Sequence, residues 1–131
     1  MGGVAVNYLF HSDPPSVADA GSEFEIQVAL RRAMKKLAPK VRLVATPNAG
    51  KRTQWEATRA KSEGMSKGFC DLTVIGPAKQ IAFVELKTRT GRLSDEQIDW
   101  LNYLHNSGFN CGCFRSVASA TAALKQWGFY S

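Results

Sequence analysis

Gly68-Phe69-Cys70-Asp71-Leu72-Thr73-Val74-Ile75, a turn at Gly76-Pro77-Ala78-Lys79, then Ile81-Ala82-Phe83-Val84-Glu85-Leu86-Lys87 is the stretch that decides the fold. Both apolar runs read as strands, Phe69–Ile75 and Gln80–Lys87, and the short turn makes them an antiparallel hairpin. Side chains alternate along a strand, so Ile81, Phe83, Glu85 and Lys87 share one face, and Ala82, Val84 and Leu86 the other. The start of the first strand lies beside the end of the second, which brings Asp71 alongside Glu85 and Lys87. Apolar strands rarely carry ionised groups, because burying an unpaired charge is costly. Two carboxylates and an ammonium there suit a site where a divalent cation meets a phosphate. The bland alternative is a surface Glu85/Lys87 pair of small energetic weight, with Asp71 as a turn residue.

Working outward, Ser22 followed by Glu25 predicts a capping box that opens a helix, with Ile26, Leu30, Ala33, Met34 and Leu37 at helical spacing and an end before Pro39. Val41–Thr46 reads as a strand, and Pro47-Asn48-Ala49-Gly50 breaks it. Lys51–Lys67 is polar and basic, with room for a short helix at Trp55–Arg59, and reads as a loop on one side of the sheet. Ser94 with Gln97 predicts a second capping box, and its helix buries Ile98, Leu101 and Leu104 before stopping at Asn106-Ser107-Gly108. Phe109–Arg115 reads as a fourth strand and Ser116–Trp127 as a last helix. The order α-β-β-β-α-β-α predicts an α/β fold, a mixed sheet flanked by helices. At 131 residues this is one domain, 22–131, preceded by a turn-rich arm, 1–21, that is either poorly ordered or strap-like.

Charge is concentrated. Between Arg31 and Lys67 stand eleven basic residues against two acids, a local +9, while the rest of the chain carries −3. Such a segment suits a polyanion, nucleic acid first, although a solvated basic face explains it equally well from charge alone. Asn48, Lys51, Arg52, Arg59, Lys61 and Lys67 are the candidate contacts. Trp55 among them either stacks on a base or packs. The absence of an 18-residue apolar run argues against a transmembrane helix, and residues 1–10 lack the basic start of a signal peptide. Cys70, Cys111 and Cys113 cannot all pair and read as small buried thiols in a reducing cytoplasm. His11 and His105 have no partner spacing that suggests a site.

Magnesium takes oxygen ligands and keeps several waters, so Asp71, Glu85 and the Leu86 carbonyl make a plausible set. Without a metal the two carboxylates repel and one pKa rises. Glu23 borders the buried face of its helix and reaches toward this cluster, but a favourable charge at a helix N-terminus explains it as well. Gln97 is explained by its capping box, yet its position also turns it toward the sheet.

Ser22-Glu23, Gly68-x-x-Asp71-Leu72, Phe83-Val84-Glu85-Leu86-Lys87 and Leu93-Ser94-x-x-Gln97, in this order and these contexts, resemble the VRR-NUC family of the PD-(D/E)xK nuclease superfamily. Asn48-Ala49-Gly50 and the Trp100-Leu101-x-x-Leu104 helix ending at Gly108 look like it too. The resemblance spans about residues 22–115. It implies a restriction-endonuclease-like core and a Mg²⁺- or Mn²⁺-dependent DNA endonuclease. Glu23 would be the helix acid and a further metal ligand, Asp71 and Glu85 the metal ligands, Lys87 the catalytic lysine and Gln97 the motif glutamine. Cys70 departs from the proline usual before the aspartate. The short chain resembles stand-alone members of phages and bacteria, which implies a cytoplasmic homodimer cutting branched DNA such as four-way (Holliday) junctions. The alternatives are a repair or restriction-type nuclease without junction specificity, and a non-catalytic nucleic-acid-binding subunit on the same fold.

Overall fold

The computed structural model describes residues 7–47 and 54–131. Their elements are β1 (His11–Ser12), a 3₁₀ turn (Pro15–Val17), α1 (Glu23–Leu37), β2 (Arg42–Ala45), α2 (Gln54–Ser62), β3 (Leu72–Ile75), β4 (Ile81–Leu86), α3 (Asp95–Asn106), β5 (Asn110–Phe114) and α4 (Val117–Gln126). The strands form one mixed sheet in the order β1-β5-β4-β3-β2. β2, β3 and β4 are antiparallel neighbours, whereas β5 runs parallel to both β4 and β1. The hairpin read from the sequence is present, with Leu72 opposite Val84 and Ile75 opposite Ile81. Its strands are shorter than expected: Phe69–Asp71 and Lys87 lie just beyond the ladder, where polar groups are free for other partners.

Alternation sorts the core into two layers. Ala82, Val84 and Leu86 of β4 pack with Leu72, Val74 and Phe114 against Ile26, Leu30 and Met34 of α1 and Ala120 and Leu124 of α4. On the opposite face, Phe83 packs with Cys70, Cys111 and Cys113 against Ile98, Leu101 and Leu104 of α3. The helical spacing of these residues lets one stripe of each helix cover apolar sheet surface, the main stabilising term of the fold. The three cysteines are buried and unpaired.

Both capping boxes form. Ser22 Oγ accepts from the Glu25 N–H and the Glu25 carboxylate from the Ser22 N–H; Ser94 and Gln97 do the same for α3. These caps fix the residues at which α1 and α3 begin. The short helix expected near Trp55 is α2.

One element had no expectation behind it. β1 lies along the outer edge of β5, with His11 opposite Gly112, and places residues 7–19 as a strap across that edge. Leu9 N–H donates to Asn102 Oδ1 (3.0 Å) and Asn102 Nδ2 to the Asn7 carbonyl (3.2 Å), which ties the strap to α3. Among the described residues no helix is long and apolar enough to cross a membrane.

Gly68 joins the hairpin to α3. Its φ is +85°, and a Cβ there would stand 2.7 Å from the Glu96 carbonyl carbon and 2.9 Å from the Gln97 nitrogen. A side chain would therefore be strained in the left-handed region and would also push against helix backbone, which cannot yield locally. A left-handed non-glycine residue costs about 1–2 kcal/mol before any clash. Gly68→Ala is expected to lower the melting temperature by about 5–10 °C, and Gly68→Ser by at least as much; thermal denaturation followed by circular dichroism checks both.

Candidate active site

The hairpin register places Asp71 beside Glu85. Asp71 precedes β3 by one residue, and its Oδ2 accepts from the Leu86 N–H at 2.8 Å. The N–H and C=O of one residue in extended backbone face the same side, which directs the Leu86 carbonyl toward Asp71 as well. Thr46 secures the Asp71 backbone from β2: its N–H donates to the Asp71 carbonyl (2.8 Å) and its Oγ1 to the Cys70 carbonyl (2.6 Å). Cys70, in the place of proline, is fully buried against α3. Burial pushes its thiol pKa up, so it serves as packing and not as a nucleophile.

Glu85, next to last in the otherwise apolar strand β4, is 1% exposed. Gln97 Nε2 donates to its Oε2 (3.2 Å), while Oε1 is buried with no hydrogen-bond partner. Gln97 therefore both caps its helix and turns toward the sheet, where its partner is Glu85. Its Oε1 closes the α3 capping box by accepting from Ser94 N–H (2.8 Å), and its Nε2 orients Glu85. Glu23, the first residue of α1, brings the third acid. One carboxylate oxygen from each of Glu23, Asp71 and Glu85 lies within 4.8 Å of the others.

These groups perturb one another as three crowded acids should. Burial foremost, then a hydrogen bond with Asp71 and the charge of Asp71, hold the Glu85 carboxyl far above the usual carboxylate range; Lys87 opposes this. Partial burial also raises Glu23, again against the pull of Lys87. Lys87 thus faces the acids, and its backbone N–H is fixed by the Phe114 carbonyl at 3.0 Å.

The donor set fits a hard divalent cation. Three carboxylates and a peptide carbonyl are oxygen ligands of the kind magnesium and manganese take. The orphaned Oε1 of Glu85 is a buried acceptor that such an ion would satisfy. Cysteine and histidine are absent from the cluster: His11 instead sits 2.6 Å from Asp13 Oδ1 at the sheet edge.

The basic candidates fare differently. Asn48, Lys51 and Arg52 lie outside the described residues. Arg59 and Lys61 are on α2; Arg59 is held by Glu63 (2.9 Å) and lies over the Trp55 ring (5.5 Å), which is itself 67% exposed. Lys67 stands 3.6 Å from Glu96, beside the start of α3. Thr46, Asp13 and Arg115 went unnoticed in the sequence. A threonine after a strand has no distinctive signal, and the other two act through contacts about a hundred residues apart.

The raised Glu85 pKa has a signed consequence for stability. Between the ordinary carboxylate range and the raised value, the folded protein holds a proton that the unfolded chain has released. Metal-free stability from this group is therefore full at acid pH and falls as pH rises through that window. Glu85→Gln is expected to melt higher than the wild type at pH 8, with the gap closing toward pH 5. Mn²⁺ should raise the melting temperature of the wild type more than that of the variant. Differential scanning calorimetry at the two pH values, with and without Mn²⁺, measures both effects.

The VRR-NUC domain model matches residues 22–118, which contain all five of the converging side chains. Two solved structures share the fold. One, described as "VRR_NUC domain protein", superposes with a TM-score of 0.68 at 14% identity, covering 86% of this chain and 93% of that one. The other, described as "VRR_NUC domain", gives 0.59 at 20% identity, over 81% and 97%. No curated protein matches the sequence. With a family match over most of its length and the same fold in these structures, the chain belongs to the VRR-NUC domain family, a family of nuclease domains.

Proposed function

We propose that this protein is a divalent-metal-dependent DNA endonuclease that hydrolyses phosphodiester bonds at the Glu23/Asp71/Glu85/Lys87/Gln97 cluster. The observation that carries the reading is the convergence of three carboxylates, one of them buried with an unsatisfied oxygen, beside a lysine. Asp71, Glu85 and the Leu86 carbonyl, joined by Glu23, would hold Mg²⁺ or Mn²⁺. Such an ion, when bound, neutralises charge on a phosphate and lowers the pKa of a coordinated water.

The chain's own residues supply the rest. Gln97 holds the Glu85 carboxylate in one orientation. Asp71 is locked by the Leu86 N–H, so the acid nearest the hairpin needs little reorganisation when substrate arrives. Lys87 carries an ammonium next to the acids, placed to hold the attacking water or to stabilise charge on the scissile phosphate. Arg59, Lys61 and Lys67 offer a basic approach for the DNA backbone, and Asn48, Lys51 and Arg52, which lie outside the described residues, are further candidate contacts.

A compact domain with one such site cuts one strand per copy. Paired cuts across a branched substrate then call for a homodimer, and the preferred substrate we propose is branched DNA such as the four-way junction. The test is cleavage of labelled four-way junction, flap and linear duplex with Mg²⁺, Mn²⁺ or EDTA. Metal-dependent, symmetric nicks in the junction are expected, with little cutting of linear duplex. Lys87→Ala should reduce the single-turnover rate by about 10²–10³-fold and change DNA affinity little. Equal cutting of all three DNAs would remove the junction preference, and undiminished cleavage by Lys87→Ala would remove the assigned site.

A further inference from the structure

Away from the acid cluster, two charged residues are buried among the described residues: Asp13 at 5% exposure and Arg115 at 7%. Burying a charge is costly unless its hydrogen-bonding groups are satisfied, and here they are satisfied in a particular way. The Asp13 carboxylate accepts from the Arg115 N–H (2.9 Å), from Ser119 Oγ and from the His11 ring (2.6 Å). The Asp13 N–H donates to the Cys113 carbonyl at 2.9 Å. The Arg115 guanidinium contacts backbone carbonyls. Its Nε donates to Asp13 O (3.0 Å), and its Nη1 donates to Gly91 O (2.8 Å) and to Thr88 O.

Those last two carbonyls belong to the loop that leaves β4 directly after Lys87. Gly91 closes that loop, with its N–H directed at the Thr88 carbonyl and Oγ1 (both 3.2 Å). It also lies against the lysine stem: a Cβ on Gly91 would stand 3.3 Å from Lys87 Cδ. One chain of contacts therefore runs from the strap through Arg115 and the Thr88–Gly91 loop to the side of Lys87.

We propose that Arg115, set by Asp13, is a positioning residue for Lys87, and that the strap carrying Asp13 is part of the working nuclease although it precedes the family-matched residues 22–118. The guanidinium fork holds three carbonyls from two segments at fixed directions, which a lysine ammonium at the end of a flexible stem cannot reproduce. The fixed loop then restricts the Lys87 stem, against which Gly91 lies. A displacement of about 1 Å in a reacting group costs on the order of 10²-fold in rate.

This inference rests on the nuclease reading, and the experiment separates the two. Arg115→Lys, Asp13→Asn and Gly91→Ala are made in the full chain. Each is measured for single-turnover cleavage at saturating junction DNA, DNA affinity and Mn²⁺ affinity by calorimetry, and the two that keep Gly91 also for hydrogen exchange of its amide. Arg115→Lys is expected to lose about 10–100-fold in cleavage rate while Mn²⁺ and DNA affinities stay within about twofold, and Gly91 exchange quickens. Gly91→Ala, which leaves Arg115 intact, should show the same rate loss by crowding the lysine stem, and it keeps the test open if Arg115→Lys does not fold. Wild-type rate in folded Arg115→Lys with unchanged Gly91 exchange would overturn the inference and leave the nuclease reading standing. A parallel fall in Mn²⁺ affinity and rate would also overturn it, since the effect would then run through the acids. A wild type that cleaves nothing, with Gly91 exchange still faster in the variants, would end the nuclease reading and keep the clamp on the loop.

Discussion

A carboxylate buried at the end of an apolar strand governs this structure. Glu85 is buried from solvent, and its Oε1 has no hydrogen-bond partner. A sequence selected only for stability would place an apolar residue there, as at Val84 and Leu86 on either side. The surroundings instead orient the acid and hold its pKa far above the usual carboxylate range. Gln97 donates one uncharged hydrogen bond to Oε2, Asp71 raises the carboxyl's pKa further through a hydrogen bond and its charge, and Lys87 opposes that rise from the next position on the same face. Sites that shift a carboxyl strongly by burial and like charge are where function concentrates.

The first turns of two helices carry residues at this point. α1 begins at Glu23 and α3 begins two residues before Gln97, so both positive helix ends converge on the acids from opposite faces of the sheet. Each end contributes about half an elementary charge. That offsets some of the repulsion among three carboxylates while leaving their oxygens available. The capping boxes therefore do more than start helices: a register shift of one residue in either would turn Glu23 or Gln97 away by about 100°. Gly68 sets the distance between loop and helix on which the second of these placements depends.

Much of this was legible in the sequence because it is encoded locally. Strand alternation placed Glu85 and Lys87 on one face, and the turn length fixed the register that brings Asp71 alongside. Ser22/Glu25 and Ser94/Gln97 announced both helix starts. Residues alone left Glu23 and Gln97 ambiguous, since a first-turn acid and a capping glutamine each have sufficient local explanations. The structure shows that a cap and a contact with the acid cluster coexist in one side chain, Gln97 using its oxygen for the cap and its nitrogen for Glu85. The strap was not legible as a strand. A two-residue parallel pairing has no periodicity of its own, and its partner lies about a hundred positions away, where only the assembled sheet edge exists to receive it.

The basic segment carries a similar lesson about reading charge as function. Its local +9 is not all available to a ligand. Arg31 donates to the Leu43 carbonyl (2.8 Å) on the edge strand β2. The alternation set by Thr46 N–H bonding to Asp71 turns that carbonyl away from β3, so the arginine covers an open edge that would otherwise invite another strand. Arg59 is engaged by Glu63 and Trp55, and Lys67 by Glu96. These exposed ion pairs are weak and screened by salt. A phosphate arriving at α2 or at the start of α3 therefore competes with a single carboxylate for each cation and gains a partner at little cost. Arg31 differs, because removing it from Leu43 leaves a carbonyl on the sheet edge without its partner. On the nuclease reading proposed above, Arg59 and Lys67, held only by exposed acids, are open to a DNA phosphate, whereas Arg31, fixed to a backbone carbonyl, belongs to the fold.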